Sequence, residues 1–367
     1  MSADFGILLP LWCYDKDATG LLDRAAGEIG LGHVTCPVVG GPLIETLVSG
    51  VGVTPHFETE GGWHYPPEPK AYADFDLGHL KPRAARWVGG RWALATLRED
   101  LAQRGVRLVV RVDLRAVHVL AEHQPHLAIR SAWGDQMAAA GMCPAQPQVR
   151  ELLLATLEDL RRFEPLGVEL VDWTLDTPAN VGASSVRCLS SDLANAVETC
   201  FCTACRAIAG ARGCDADLAA RAVKLSMDAF VRDPQAVAGE QNAALAQYRG
   251  CRAEEMTRWL AALADRFADW RRFLVSARNE SSAAPGWRRL GDARVQPAAS
   301  RGRVQTGVDA VILPAWRPQV ASAADLVRWT AELHETGVTH FDFDGLHAAA
   351  PEAISWVRQA VRYARRG

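Results

Sequence analysis

Three cysteines, Cys200, Cys202 and Cys205, fall within six positions of the segment ETCFCTACRA (198–207). The pattern C-x-C-x-x-C suits a metal knuckle, because its short gaps let loop thiolates converge on one ion. Tetrahedral zinc takes about four such donors at roughly 2.3 Å. TACRAIAG reads as a helix start, whose free N–H groups stabilise thiolate charge. Arg206 is placed to offset surplus negative charge. A group of buried thiols and a redox pair are the other readings of this spacing. A tetrahedral site needs a fourth ligand, for which Cys188, Cys214 and Cys143 are candidates.

Carboxylates at the ends of apolar runs form the second group. Asp113 follows VRLVVRV, Asp172 ends GVELVDW, Glu280 ends FLVSARNE, and Asp342 and Asp344 alternate in THFDFDG. A glycosidase needs one protonated and one ionised carboxyl, about 5 Å apart for retention and roughly 6.5–9.5 Å for inversion. Asp172 is the first candidate for a catalytic acid and Glu280 the second. Glu169 lies three residues before Asp172, so on a regular strand the two point to opposite faces. Asp342 and Asp344 share a face, where like charges raise one pKa unless arginines pair with them.

The segment HFETEGGWHYPPEP (56–69) contributes His56, Trp63 and His64. It reads as a long loop after the second strand, either a sugar platform or a proline-anchored lid or subunit contact. Trp173, Trp316 and His118 are further candidates for substrate contact. His118, His123 and His126 have no tight metal-ligand spacing. No G-x-S-x-G or H-E-x-x-H motif points to a serine hydrolase or a zincin.

These residues sit on a regular alternation. Strand-length apolar runs at 5–10, 33–39, 106–114, 167–175, 273–280, 308–316 and 339–345 are separated by helical patterns. An eighth strand is expected around ARVQPA (293–298). In 148–163, Val149, Leu152, Leu153, Leu157 and Leu160 share one helical face. Ser322 with Asp325 is a capping-box variant, and Pro351 opens the last helix. Such alternation, with near-continuous apolar strands, predicts a parallel sheet covered by helices. The expected fold is a (β/α)8 TIM barrel, allowing for a degenerate strand, in a single domain spanning 1–367. An excursion at 176–240, after the fourth strand, carries the cysteines. An open doubly wound sheet is the alternative, but no glycine-rich phosphate loop follows the first strand.

Bulk properties narrow the class. The 367 residues carry a formal charge of −3, which gives no reason to expect nucleic acid or an anionic membrane as partner. The N-terminus has no signal-peptide pattern and there is no long apolar run, so a cytoplasmic protein is expected. Nine cysteines in a reducing compartment read as ligands, nucleophiles or small hydrophobes rather than disulfides. Twelve tryptophans suit a cleft that stacks on flat ligand faces.

One combination is familiar. A Cys-Pro-x-x-Pro-x-x-Arg turn (Cys143, Pro144, Pro147, Arg150) opens a helix, an acid-bearing strand follows, and then comes Cys200-Phe201-Cys202-x-x-Cys205. This resembles the zinc-containing β-galactosidases of glycoside hydrolase family 42 and the wider set of bacterial glycosyl-hydrolase-like TIM barrels. The wider set is the closer likeness, through TPHFETEGGWHYPPEP, LKPRAAR, the run from Val106 to Asp135, and THFDFDG. The resemblance implies Cys143 as the fourth ligand of a structural zinc ion, a carbohydrate or glycoside substrate, and a homo-oligomer. One departure stands out: family 42 carries Asn-Glu on the strand before the cysteines, where this chain has VDWTLD. Its Asn279-Glu280 is on a later strand. The expected function is a glycoside hydrolase using strand-end carboxylates. The alternatives are a sugar isomerase or lyase, and a binding barrel without catalysis.

Overall fold

In the computed structural model, residues 3–49, 52–88, 92–137, 141–171, 173, 193, 196–233, 243–276, 288–292, 308–317 and 319–366 are described. Asp172 and Glu280 lie outside them, as does 293–298.

Eight parallel strands form a curled sheet: β1 (Asp4–Leu8), β2 (His33–Gly40), β6 (Arg107–Val112), β7 (Gly167–Leu170), β8 (Arg272–Ser276), β9 (Arg288–Asp292), β10 (Ala310–Pro314) and β11 (His340–Asp344). Neighbours pair in that order, and β1 pairs with both β2 and β11. That double pairing fits a curled sheet rather than the open doubly wound alternative. The eighth strand is RRLGD (288–292), held between β8 and β10. Its sequence has no apolar run to announce it.

The helices cover the outside for the reasons their patterns gave. In α4 (Pro147–Leu160), Val149, Leu152, Leu153, Leu157 and Leu160 are all fully buried. Each such side chain gains about 1.5–3 kcal/mol over exposure. Ser322 Oγ accepts the Asp325 N–H at 3.3 Å to start α8 (Ala323–Glu335), and Pro351 precedes α9 (Glu352–Ala364). Also outside the sheet are α1 (Leu11–Arg24), α2 (Ala93–Gln103) and the short α3 (His118–His123). The long helical stretch is three helices: α5 (Thr203–Gly210), α6 (Ala216–Arg232) and α7 (Ala243–Arg266). Asp215 caps α6, accepting two backbone N–H groups at 2.9 Å.

The segment after β2 holds strands that the sequence reading did not expect. It begins with an antiparallel hairpin, β3 (Leu43–Ser49) and β4 (Gly52–Glu58), and β5 (Gly62–Trp63) then pairs with β2. Two of these, β4 and β5, enter the 56–69 stretch read as a loop. The hairpin's alternation is inverted, with Ile44, Val53 and Phe57 exposed while Leu47 and Glu58 are buried. An apolar outer face hides the usual strand pattern.

Three cores result. A large one fills the space between sheet and helices. A small one of Leu8, Leu274, Ala310 and Ile312 fills the sheet's concave side, and a satellite surrounds the cysteines.

Candidate functional site

Inside the curl, polar residues from six strands meet. Asp342 of β11 accepts from Thr35 Oγ1 at 2.9 Å and lies 2.9 Å from His33 Nε2. His33 Nδ1 lies 3.3 Å from Asp4, and Arg272 reaches Asp4 at 3.3 Å and Asp342 at 3.9 Å. Gly6 makes the room: a Cβ there would meet the His33 ring at 2.2 Å. Higher along the strands, Arg111 Nη1 donates to Glu169 Oε2 at 3.0 Å.

Burial opposes charge on all these groups, so their partners decide the outcome. His33 and Arg272 hold Asp342 well below the usual carboxylate range despite its burial. Against burial and the Arg272 charge, Asp342 and Asp4 in turn raise His33, which favours the charged imidazole. Glu169 goes the other way, pushed up to about 7 by burial and by the Asp342 charge, with Arg111 opposing. Glu169 Oε1 and Asp342 Oδ2 each have no hydrogen-bond partner. A proton on Glu169, shared with Asp342, satisfies both.

The cysteine cluster lies outside the sheet. Cys143, Cys200, Cys202 and Cys205 are buried, and their four sulfurs lie within 4.8 Å of one another. Cys143 and Cys205 are 3.5 Å apart. A tetrahedron of thiolates around one ion needs sulfur separations of about 3.8 Å, so the donor set is placed to hold a metal ion. Cys200 Sγ accepts the N–H groups of Arg130 and Cys202 at 3.4 Å, as thiolates do. Cys143 sits in the turn before α4, closed by Arg150 Nε donating to Pro144 O at 3.0 Å. Phe201 stacks on Tyr248 at 4.8 Å, and the Tyr248 hydroxyl donates to Cys200 O at 2.9 Å. These rings close the site from solvent.

Arg206 does not compensate the sulfurs. It donates to Phe201 O at 3.1 Å and pairs with Asp217. Arg252 of α7 takes that part: its guanidinium is fully buried and, against its own desolvation, held charged by Cys205, Tyr248, Cys200 and Cys143. Arg150 feels Cys143 and Cys205 as well. Cys214, a sequence candidate for fourth ligand, lies apart from the four and faces Cys251 instead.

The remaining sequence candidates are dispersed. Asp344, buried at the end of β11, accepts the Gly345 N–H at 2.6 Å. Gly345 has φ +82°, and a Cβ there would collide with the ring of the half-buried Trp316. Asp113 accepts the Ala116 N–H at 3.1 Å, and His118 is half-buried in the first turn of α3. Trp63 and His64 are buried beside β2, with His64 Nδ1 donating to Pro37 O at 3.0 Å. Burial depresses the His64 pKa to about 4, which leaves the ring neutral. Trp173 is fully buried against Trp259. His56, on β4, stacks on Trp12 at 4.5 Å. A cavity of about 600 Å³ lies in the 67–82 segment, lined by Pro67, Tyr72, Phe75, Leu77 and Leu80 among others. Tyr72 bonds Asp159 of α4 at 3.3 Å, which puts this cavity against the outer helices.

Sequence reasoning missed His33, Arg111, Arg252 and Arg272. Arg111, a cation inside the apolar run LVVRV, was the available signal.

No protein-family model matches the sequence, and no curated protein does. Solved structures do resemble the fold. The α-L-fucosidase isoenzyme 2 from Paenibacillus thiaminolyticus aligns over 99% of this chain and 49% of its own, at 12% identity and TM-score 0.54. The β-N-acetylhexosaminidase from Bacteroides fragilis aligns over 98% and 66%, at 9% identity and TM-score 0.51. The chain therefore spans about half to two thirds of the length of these neighbours. At such identities the likeness is one of fold: a TIM-barrel-like, glycosidase-type architecture.

Proposed function

We propose that this chain is a carbohydrate-active hydrolase on a (β/α)8 barrel, cleaving a small glycoside at the carboxyl ends of its strands. The carrying observation is the fold-level likeness, over nearly the whole chain, to two glycoside hydrolases. The barrel reading draws on the pairing of β1 with both β2 and β11. Asp172 and Glu280 are the proposed acid pair. Glu169 supports the reading from beneath, because it supplies the kind of buried, protonated carboxyl that such chemistry needs.

The cysteine cluster is proposed to hold one zinc ion, with Cys143, Cys200, Cys202 and Cys205 as its full ligand set. Four thiolates leave no open position, so the zinc is structural and ties the excursion after β7 to the turn before α4. Arg252, buried against the sulfurs, offsets part of the net −2 of a zinc tetrathiolate, while Arg150 is shared with Glu255 at 3.6 Å.

A panel of aryl glycosides tests the activity. Asp172→Asn and Glu280→Gln should each lower kcat by about 10²–10⁴-fold with thermal unfolding unchanged. Full turnover in either variant removes that residue from the mechanism, and no hydrolysis by the wild type on any glycoside rejects the function.

A further inference from the structure

We propose that Cys13, Glu45 and His347 form a second metal site at the carboxyl end of the curled sheet, taking one borderline divalent ion of the zinc class. The Cys13 sulfur, a Glu45 oxygen and a His347 ring nitrogen lie within 4.8 Å of one another. They come from three separate segments: the first turn of α1 after β1, strand β3 of the hairpin, and the loop after β11. No local motif brings them together, and only the fold does.

Two observations mark the group as a site rather than a chance meeting. His347 is only 5% exposed, and its Nδ1 is buried with no hydrogen-bond partner. A buried polar atom left unmatched costs about 1–3 kcal/mol, which a ligand at that nitrogen would remove. Glu45 is also held in place: Trp12 Nε1 donates to its Oε2 at 2.6 Å, as outer-shell donors orient metal-bound carboxylates. The loop carrying His347 is pinned to the hairpin through Val48 N–H and His347 O at 2.8 Å.

The donor chemistry selects the ion. One thiolate, one carboxylate and one imidazole together carry −2, which a divalent cation neutralises in a largely buried place. The sulfur disfavours magnesium and calcium, while the mixed set suits zinc or cobalt. Three protein donors leave one tetrahedral position open for water or a substrate oxygen, unlike the four-cysteine cluster. This inference does not depend on the carbohydrate reading.

Zinc content decides it. The purified full chain is dialysed against micromolar zinc, freed of unbound metal and analysed for zinc per chain. Wild type should hold one zinc more than His347→Ala, and Glu45→Gln should lower zinc affinity by about tenfold or more. The four-cysteine cluster is common to all three proteins and cancels in the difference. Equal zinc content and affinity in wild type and Glu45→Gln overturns the site, even if His347→Ala fails to fold by circular dichroism. Equal content in a folded His347→Ala overturns it too.

Discussion

The four-cysteine cluster and, but for the part-exposed Asp4, the charge network inside the sheet are both buried, yet they balance their charges in opposite ways. In the network the chain supplies its own partners: Asp4 and Asp342 meet His33 and Arg272, and Glu169, pushed towards its protonated form, still accepts from Arg111. The cysteine cluster gathers four acidic groups against one buried cation, Arg252, a set placed to be balanced by a metal ion. Burial alone therefore does not separate structural from ligand-binding polar groups. What separates them is whether the chain supplies the neutralising charge.

That contrast is broken most severely by removing a sulfur. Cys202→Ser, or exhaustive chelation of the wild type, should lower the unfolding temperature by on the order of 10 °C or more, since metal affinity is folding free energy here. Differential scanning calorimetry measures it. A chelated protein with unchanged melting would put the cysteines in the same self-sufficient class as the network.

The network should be damaged nearly as much from within. Asp342→Asn leaves the buried His33 and Arg272 with Asp4 as their one remaining carboxylate, at a cost of about 2–3 kcal/mol. Zinc content should be unaffected, because the cysteines pack in a satellite core of their own that shares no residue with the network. Urea unfolding together with zinc analysis reads both quantities. Loss of zinc in this variant would mean the two regions are coupled.

The same contrast explains what could be read from the sequence. Cys200, Cys202 and Cys205 are legible because their chemistry is local, with ligands spaced two and three residues apart. Cys143 was one of three candidates for the fourth ligand, singled out by the resemblance to family 42, and Arg252 was invisible at a distance of 47 positions from Cys205. In the network His33 and Asp342 are 309 residues apart, and although Asp342 stood out beside Asp344, nothing local ties it to His33. Parity does put Glu169 and Arg111 on one face of neighbouring strands, but only once the register Arg111↔Glu169 is known. The alternation of strands and helices was readable because burial of one face imposes a period. The hairpin at 43–58 was not, because its apolar residues face outward, and neither was β9, which is too short and polar to show a period.

The finest test of the comparison is pH. In the network, Glu169 is an acid whose pKa rises from 4.5 unfolded to about 7 folded, so between those values the folded state holds a proton that the unfolded state has released. Stability therefore falls as pH rises through that window, by about 3 kcal/mol in total. His33 adds to the trend with its own sign: a raised histidine contributes stability below about 6.5 that is lost as pH rises through its folded value. Asp4, lowered to about 2, and Asp342 oppose only below about pH 4, where protonation removes their contribution. The network thus favours mildly acidic solution, whereas thiolate ligation weakens there because protons compete for sulfur. Glu169→Gln separates the two effects, since it keeps an acceptor for Arg111 and leaves the cysteines untouched. Urea unfolding at pH 5 and pH 8 in excess zinc should show the variant gaining stability relative to wild type at pH 8 and not at pH 5. An equal shift at both values would mean that Glu169 carries no proton in the folded protein, and that the network is balanced by full charges alone.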